Sequence, residues 1–408
     1  MFQYDMDRNE LERLQYKKLK ETLVLAYNNN INYRKKFNDI GVKPDDIRDI
    51  KDVSRLFFTT KQELRDNYPM GFNCVDKCDI ARIHMSGGTT GVPVIVPYTK
   101  HDIDVWGDMV ARCLSLVGVE RSDIIQIAPA FGLWNGGFGF HYGAERLDCF
   151  TIPIGPGNTR NQIKFMQEMG TTVFCSTSSY PLRIAEVIDE LSIGIESLNL
   201  KKMVLGAEPW SDGVRSRIES FFGVDAYDIP GLTETGGVGT TGMECPYKNG
   251  LHIWEDNILL EIIDPETGEV LEDGEEGEIV YTTLSRKAMP LIRYRSGEVA
   301  SFIDGDSCEC GLPFRKISRI RGRVDDMIIH HGAKFYPHDI ERVLTGHGVS
   351  QYSLEARGKL SLRIESDPAA IPSISKDLKE FLGISPSIEA VPYQTLKRYS
   401  GKTPRLAR

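Results

Sequence analysis

The sequence predicts an α/β protein with a large N-terminal domain and a small α+β domain at its C-terminal end. Apolar, strand-like runs alternate with amphipathic stretches through the middle of the chain, which is typical of parallel strands covered by helices. From Leu259 onwards the pattern changes to strands joined by short turns, which indicates a hairpin or barrel region. Beyond about residue 324, short strands alternate with two helical stretches, as expected of a separate α+β unit.

The first predicted elements are helical. Between residues 8 and 37, apolar side chains such as Leu11, Leu14 and Leu23 recur at helical spacing, so one or two helices are expected. Two short strands are predicted next, at residues 81–85 and 92–98. They enclose the glycine-rich segment Met85-Ser-Gly-Gly-Thr-Thr-Gly-Val-Pro93.

The middle of the chain supplies the predicted parallel sheet. Its strand-like runs are residues 124–128, 149–154, 173–175 and 202–206, with helices expected at 161–169 and 181–191. In the hairpin region, residues 260–271 predict a strand, a turn and a second strand, and residues 277–283 predict a third strand.

The C-terminal unit is predicted to contain strands at 326–329 and 360–364 and helices at 337–344 and 374–382. We therefore expect two domains, residues 1–324 and 325–408.

Composition excludes several classes of protein. The 408 residues are 41% hydrophobic and 26% charged, as in an ordinary globular protein, and the net charge of −9 argues against a nucleic-acid or anionic-membrane partner. No apolar run reaches membrane-spanning length and the first residues lack a signal-peptide pattern, so a cytoplasmic protein is expected. Eight cysteines are too sparse for a disulfide scaffold, which leaves free thiols or a metal.

The glycine-rich segment is suited to binding a polyphosphate. Its glycines allow a close approach of backbone N–H groups, and Ser86, Thr89 and Thr90 add hydroxyl donors. It is not the common G-x-x-x-x-G-K-[ST] loop, because Val92 follows Gly91.

A cysteine and histidine pattern further along the chain is suited to zinc. Cys308 and Cys310 form a tight pair, and Cys245 with His252 forms a second. Three thiolates and one imidazole match a closed tetrahedral structural site. The alternative is a set of unrelated thiols beside a surface histidine.

Residues 131–140, Phe-Gly-Leu-Trp-Asn-Gly-Gly-Phe-Gly-Phe, are rich in aromatic residues and glycine. Gly136 leaves space for a slot, and Phe131, Trp134 or Phe140 can pack on a flat ring, so this stretch predicts a pocket for a planar ring.

Several further motifs follow one another along the chain. After the glycine-rich loop come Tyr227-Asp-Ile-Pro-Gly-Leu-Thr-Glu234, Tyr294-Arg-Ser-Gly-Glu298, Gly322-Arg-Val-Asp-Asp-Met327 and Gly401-Lys-Thr-Pro-Arg405. Between them lie Phe58-Thr-Thr-Lys-Gln-Glu-Leu-Arg65, His141-Tyr-Gly-Ala-Glu145, Gly206-Ala-Glu-Pro-Trp210, Gly250-Leu-His-Ile-Trp-Glu-Asp256 and Met289-Pro-Leu-Ile-Arg-Tyr-Arg295. Over essentially its whole length the chain resembles the adenylate-forming superfamily and, within it, the phenylacetate–CoA ligase family.

The resemblance implies an ATP-dependent aryl-acid–CoA ligase that uses Mg²⁺ and coenzyme A. A carboxylate attacks the α-phosphorus of ATP, pyrophosphate leaves, and the acyl-adenylate is then attacked by the coenzyme A thiol. The small domain is expected to rotate between these two steps about a hinge at Asp325. We also expect a homodimer.

The resemblance also assigns roles to residues. The phosphate loop comprises Ser86, Gly87, Gly88, Thr89, Thr90 and Gly91; Thr233 binds the α-phosphate, Glu234 holds Mg²⁺, and Lys402 neutralises charge during adenylation. The adenine edge is lined by Gly206, Ala207, Glu208 and Asp228; Glu298 binds the ribose, Arg295 and Arg323 lie near the nucleotide, and His141 and Tyr142 lie at the mouth of the acyl pocket.

Three positions depart from the superfamily pattern. Pro230 replaces a tyrosine that stacks on adenine, Glu298 replaces an aspartate, and Val92 replaces the lysine that ends the phosphate loop. Lys61 is our candidate for the missing charge, with a surface lysine as the alternative. Pro230 leaves the preference for ATP over other nucleotides open.

Two other functions compete with the ligase interpretation. One is an adenylating enzyme that delivers its acyl group to a carrier protein, or its nucleotide to a deazaflavin. The other is a nucleotide-binding protein without turnover, against which the retained Thr233, Glu234 and Lys402 argue.

Overall fold

A computed structural model describes residues 6–86, 92–303, 305, 308–356, 359–398 and 406–407. Contacts between residues divide the chain into two compact units. The first unit comprises Met1–Gly155 and Tyr227–Arg319, and the second comprises Pro156–Ala226 and Ile320–Arg408.

The helices are, in chain order, α1 (Arg8–Asn29), α2 (Ile31–Asp39), α3 (Lys61–Asp66), α4 (Lys100–Leu116), α5 (Gly136–Arg146), α6 (Thr159–Met169), α7 (Tyr180–Glu190), α8 (Asp212–Phe222), α9 (Pro337–Gly346) and α10 (Ile371–Leu382).

The strands are β1 (Ile80–Met85), β2 (Ile95–Thr99), β3 (Ile124–Ile127), β4 (Phe150–Ile152), β5 (Val173–Thr177), β6 (Lys202–Gly206), β7 (Asp225–Ile229), β8 (Gly231–Leu232), β9 (Gly237–Val238), β10 (Gly242–Glu244), β11 (Leu251–Ile253), β12 (Ile258–Ile263), β13 (Gly277–Thr283), β14 (Tyr294–Ala300), β15 (Lys316–Ile317), β16 (Gly322–Arg323), β17 (Ile328–His330), β18 (Ala333–Phe335), β19 (Tyr352–Glu355), β20 (Ser361–Glu365), β21 (Ser387–Val391) and β22 (Leu406–Ala407).

The N-terminal helical pattern forms two helices. Asp7 caps α1 by accepting a hydrogen bond from the Glu10 backbone N–H. Asn30 ends α1 and caps α2, because its side chain accepts from the N–H groups of Asn32 and Tyr33. The apolar stripe of α1 is buried at Leu11 and Leu23, as its spacing predicts.

The predicted α/β class is confirmed. In the first unit β3 pairs in parallel with β4, and in the second unit β5 pairs in parallel with β6. The hairpin region forms the antiparallel neighbours β12, β13 and β14.

One predicted strand is wrong. After β12 the chain makes a single bridge, between Ile263 and Val270, in place of a second hairpin strand. The chain turns again at once, through Gly274 with a φ of 88°, so the segment is too short to continue the pairing.

The C-terminal segment of the second unit has the predicted α+β arrangement. Its sheet has the order β21–β20–β19–β22. Its core contains Ile340 of α9, Leu378 of α10, and Leu354 and Ile364 of the sheet. The same unit includes residues 156–226, and Ser211 there donates its N–H to Glu341 of α9 at 3.1 Å. The division at residue 324 stays a prediction.

Among the described residues, the helices are each too short or too polar to cross a bilayer.

Candidate active site

The candidate site begins where β1 ends. Strands β1 and β2 pair antiparallel, with Met85 opposite Ile95, so the strands predicted on either side of the glycine-rich loop form a hairpin. Ser86 follows β1 and is buried. Gly87, Gly88, Thr89, Thr90 and Gly91 lie outside the described residues. Their phosphate-binding role stays a prediction.

Lys61 and Glu234 lie together in the first unit. Lys61 is the first residue of α3, which Thr60 caps. Its Nζ is 3.0 Å from Oε1 of Glu234, whose side chain is only 3% exposed. The structure thus brings the lysine proposed to replace the missing loop charge to the carboxylate proposed to hold the metal.

This ion pair sets the charge of Glu234. Burial by itself raises the pKa of this carboxyl group, but the Lys61 ammonium, together with a backbone hydrogen bond, lowers the pKa below its ordinary value. Glu234 is therefore an ionised carboxylate at neutral pH, the form that a hard divalent cation requires.

Thr233, beside Glu234, belongs to a closed hydrogen-bond network. Its hydroxyl lies 3.4 Å from Oδ1 of Asn135, and Asn135 donates through Nδ2 to the Tyr98 hydroxyl at 3.1 Å. The Tyr98 hydroxyl in turn lies 3.4 Å from the Thr233 carbonyl oxygen. All three residues are buried, so the network fixes Thr233 against the end of β2 and the start of α5.

Tyr98 also belongs to an aromatic cluster made by β1, β2, α4, α5 and the segment before α5. The cluster consists of His84, Tyr98, Trp106, Phe131, Phe138, His141 and Tyr142. The ring centroids of His84 and Tyr98 are 5.1 Å apart, and Phe138 lies 5.4 Å from His84 and 5.3 Å from Phe131. Phe131, Phe138 and Tyr142 remain partly exposed, so a ligand can reach them.

β1 contributes two polar side chains here: His84 is part of the cluster, and Arg82 lies against it. The Arg82 guanidinium lies 4.5 Å from the centre of the Phe138 ring and donates to the Tyr142 hydroxyl. His84 is fully buried, with Nδ1 2.9 Å from the carbonyl oxygen of Gly132. Burial lowers the pKa of His84 to about 4, helped by the Arg82 charge, so the imidazole is neutral at physiological pH.

The glycines of α5 allow close packing. A Cβ on Gly136 would lie 2.7 Å from the Trp134 ring, and one on Gly139 would lie 2.7 Å from Nε1 of Trp106. The space that Gly136 leaves is therefore filled by Trp134 of the protein itself, which corrects the expectation of an open slot there. Phe140 is 2% exposed and lies in the core, whereas Phe138 faces the cluster.

The residues predicted to line adenine belong to both units. Gly206 ends β6 in the second unit, and Ala207 follows it with a φ of 71°, a conformation that alanine rarely adopts. Glu208 accepts a 2.9 Å hydrogen bond from the Ser179 N–H. Asp228, in the first unit, pairs with Arg319 at 2.9 Å.

The other predicted nucleotide residues are engaged with protein neighbours. Arg295 donates through Nε to Glu278 at 2.8 Å, so its charge is shared with that buried carboxylate. Glu298 is half-buried and accepts from the Tyr281 hydroxyl at 3.4 Å. Arg323 lies in β16 of the second unit.

The predicted hinge and catalytic lysine lie in the C-terminal segment. Asp325 is exposed in a short 3₁₀ turn, Val324–Asp326, between β16 and β17. Lys402 lies outside the described residues. Four positions before it, Arg398 forms ion pairs with Glu186 at 3.1 Å and with Glu365 at 2.7 Å.

The four predicted zinc ligands come together in the first unit. Their ligand atoms, from Cys245, His252, Cys308 and Cys310, all lie within 4.8 Å of one another. The sulfurs of Cys245 and Cys308 are 3.7 Å apart, and the Cys310 sulfur lies 3.2 Å from Nε2 of His252. The first distance is far too long for a disulfide. It is close to the edge of a tetrahedron with metal–sulfur bonds of about 2.3 Å.

Known proteins are similar to this chain over most of its length. Residues 14–285 match the family model of AMP-binding enzymes. Phenylacetate-coenzyme A ligase of Pseudomonas putida is 39% identical, over 97% of this chain and 92% of the relative. The ligase of the same name from Aromatoleum evansii is 37% identical, over 98% of this chain and 94% of the relative.

The chain belongs to the phenylacetate–CoA ligase family of AMP-binding enzymes. The crystal structure of 2-hydroxyisobutyryl-CoA ligase in complex with 2-HIB-AMP, in the postadenylation state, matches this ligase with a TM-score of 0.91. The two chains are 25% identical, and the match covers 98% of this chain and 90% of the other. The chain is therefore an acid–thiol ligase that acts through an acyl-adenylate and uses ATP and coenzyme A.

Sequence reasoning missed several residues of this ligase's candidate site. These are Arg82, His84, Tyr98, Trp106, Asn135 and Phe138. Alternation along β1 could have found Arg82 and His84, because side chains two positions apart lie on the same face of a strand as Ser86. Asn135 carries no such signal, since its partners are distant in sequence.

Proposed function

We propose that this ligase activates a planar aryl acid of the phenylacetate type. The observation that carries the proposal is the aromatic cluster, which shares Tyr98 with the hydrogen-bond network of Thr233. An acid whose ring packs on Phe138 and Tyr142 would direct its carboxylate along β1 towards Ser86 and Thr233. Relatives 37–39% identical to this chain are phenylacetate–CoA ligases, which supports the same class of acid.

The roles of the polar residues follow from the chemistry of adenylation. Negative charge develops on the α-phosphate as the carboxylate attacks and pyrophosphate leaves, so positive groups and donors must be aimed there. We assign the α-phosphate contact to Thr233, Mg²⁺ binding to Glu234, and the charge missing from the phosphate loop to Lys61. When bound at Glu234, Mg²⁺ would supply positive charge beside the phosphates.

The remaining nucleotide contacts are proposed from the matching motifs. Ser86 and the loop to Gly91 would bind the β- and γ-phosphates. Gly206, Ala207, Glu208 and Asp228 would line adenine, Glu298 would accept from the ribose hydroxyls, and Arg295 and Arg323 would lie near the nucleotide. Lys402 would act in the first half-reaction alone.

The substrate proposal is tested by pyrophosphate release across a panel of acids, with and without coenzyme A. Phenylacetate or another aryl acid should give the highest kcat/KM, and each should require Mg²⁺. If palmitate or a short aliphatic acid is activated faster than every aryl acid in the panel, the proposed acyl pocket is wrong.

We also propose a structural zinc ion at Cys245, His252, Cys308 and Cys310. The sulfur–sulfur distance matches tetrahedral zinc. Nδ1 of His252 lies 3.1 Å from the Phe314 carbonyl oxygen, so Nδ1 carries the proton and Nε2 is left to bind metal. Cys245 and His252 are fully buried, which is typical of a closed site. Elemental analysis of freshly purified, unchelated protein should give about one zinc per chain.

A further inference from the structure

We propose that the zinc centre positions Asp228 for nucleotide binding, acting through Glu244 and Arg319. This inference rests on the proposed zinc centre and on the proposed role of Asp228 beside the nucleotide.

Asp228 is held by two side chains. Its backbone N–H donates to Oε2 of Glu244 at 2.7 Å, and its own Oδ2 lies 2.9 Å from Nε of Arg319. Nε of Arg319 is also 3.8 Å from Oε1 of Glu244, so the three residues form one charged group. Glu244 is completely buried, and a displacement of this carboxylate would leave the Asp228 N–H without that partner.

The two side chains that hold Asp228 lie at the ends of two different strands. Glu244 is the last residue of β10, and Arg319 follows two residues after β15. The sheet order is β10–β11–β15, so β10 and β15 are separated by β11. The positions of Glu244 and Arg319 relative to each other therefore depend on how firmly the three strands are joined.

The backbone pairing between β11 and β15 is short. Among the described residues, Leu251 pairs with Ile317 and His252 with Lys316, and the Ile253 N–H donates to the Arg315 carbonyl oxygen at 3.0 Å. The proposed zinc ligands come from all three strand segments: Cys245 directly follows Glu244, His252 lies in β11, and Cys308 and Cys310 precede β15. A metal bound by these four groups would fix the ends of the three strands together.

Asp228 also begins the segment that carries the catalytic pair. It lies in β7, and β8 leads from there to Thr233 and Glu234. Loss of the metal should therefore weaken nucleotide binding in a protein that is still folded.

The test measures the Kd for ATP with Mg²⁺ by titration calorimetry, in the absence of acid. It compares zinc-loaded protein, the same protein after zinc removal by a chelator, and the chelated protein after zinc is restored. We expect the Kd to rise about tenfold or more on zinc removal and to return when zinc is added back. Circular dichroism confirms that the chelated protein is folded.

Two variants separate the metal from the residues it positions. Glu244→Ala should weaken ATP binding by a similar factor while it keeps the wild-type zinc content. Cys308→Ser should lose both zinc and ATP affinity, and Cys78→Ser, which removes an exposed thiol outside the cluster, should lose neither.

The outcomes are distinguishable. Unchanged ATP affinity in folded, zinc-free protein overturns the coupling and leaves the zinc centre standing. If chelation unfolds the protein, wild-type ATP affinity in Glu244→Ala overturns the proposal instead. Fresh protein without zinc disproves the metal centre itself, and zinc-loaded protein that does not bind ATP disproves the proposed nucleotide function.

Discussion

Lys61 and Glu234 form the ion pair to which we assign the charge missing from the proposed phosphate loop. Val92 stands where the family has lysine, so the phosphate loop lacks that positive charge. Lys61 reaches Glu234 from the start of α3, where its side chain is 24% exposed. An ammonium in this position can neutralise the carboxylate before the nucleotide binds and contact phosphate oxygens afterwards.

Replacing Lys61 with methionine should raise the pKa of Glu234. Burial raises the pKa of Glu234 and the ammonium lowers it, so without the ammonium burial dominates. The carboxylate then becomes protonated at a higher pH, and the acid limb of the pH profile of kcat/KM for ATP should move to higher pH. At neutral pH kcat/KM should fall by roughly ten- to a hundredfold.

Lys51→Met, at an exposed lysine, is the matched control and should leave the profile in place. An unshifted acid limb in Lys61→Met would mean that Lys61 does not determine the ionisation of Glu234.

Some residues of the candidate site could be predicted from the sequence, and others could not. Thr233, Glu234 and the four residues of the Cys/His cluster could be selected from the sequence because each belongs to a local motif with its own chemistry. Asn135 could not, because its role depends on Tyr98 and Thr233, which only folding brings near. The sequence predicts a pocket role for Phe140, which is buried in the core, and not for Phe138, which faces the cluster, because composition alone cannot tell which face of α5 lies in the core.

At the scale of elements, periodicity located most helices and strands. Residues 202–206 form β6 as predicted, and residues 277–283 form β13. The error at Val270 arose because an apolar segment after a turn resembles a hairpin strand, whereas the actual pairing depends on where the next turn falls. The glycines of α5 predicted a pocket. In the structure, Gly136 allows Trp134 to pack closely, and Gly139 does the same for Trp106.

The segment that carries Cys308 and Cys310 provides an element-scale prediction. Its attachment to β11 is short, so the proposed metal should supply much of its stability. Cys308→Ser should reduce bound zinc to about a tenth of the wild-type content or less, and should lower the unfolding temperature by at least about 5 °C. Mass spectrometric zinc analysis and calorimetry measure the two effects on the same samples.

Cys78→Ser provides the control for a generic thiol replacement, because Cys78 is exposed and lies outside the cluster. A Cys308→Ser protein that retains zinc, or that loses zinc without any loss of stability, contradicts a structural role for the metal.

At the scale of the whole molecule, the two half-reactions should respond to different changes. Lys402 is proposed to act only while charge develops on the α-phosphate, and loss of one such group typically costs on the order of 10²–10³ in rate. Lys402→Ala should therefore slow adenylation by about that factor and leave thioester formation from preformed acyl-adenylate nearly intact.

Asp325→Pro should show the opposite pattern, because proline restricts the turn between β16 and β17 that we propose as the hinge. Adenylation should be retained and thioester formation slowed. Equal losses in both half-reactions for Lys402→Ala would indicate a role in folding or docking in place of the first chemical step.

The most direct test of the proposed two-step mechanism follows a single turnover of the enzyme mixed with ATP, Mg²⁺ and phenylacetate. Without coenzyme A, we predict a burst of about one pyrophosphate per active site and an enzyme-bound phenylacetyl-adenylate. Addition of coenzyme A should then convert this intermediate to phenylacetyl-CoA with release of AMP. Pyrophosphate release that requires coenzyme A, or release of ADP in place of AMP, would contradict the two-step mechanism on which the assignments of Thr233, Glu234 and Lys402 depend.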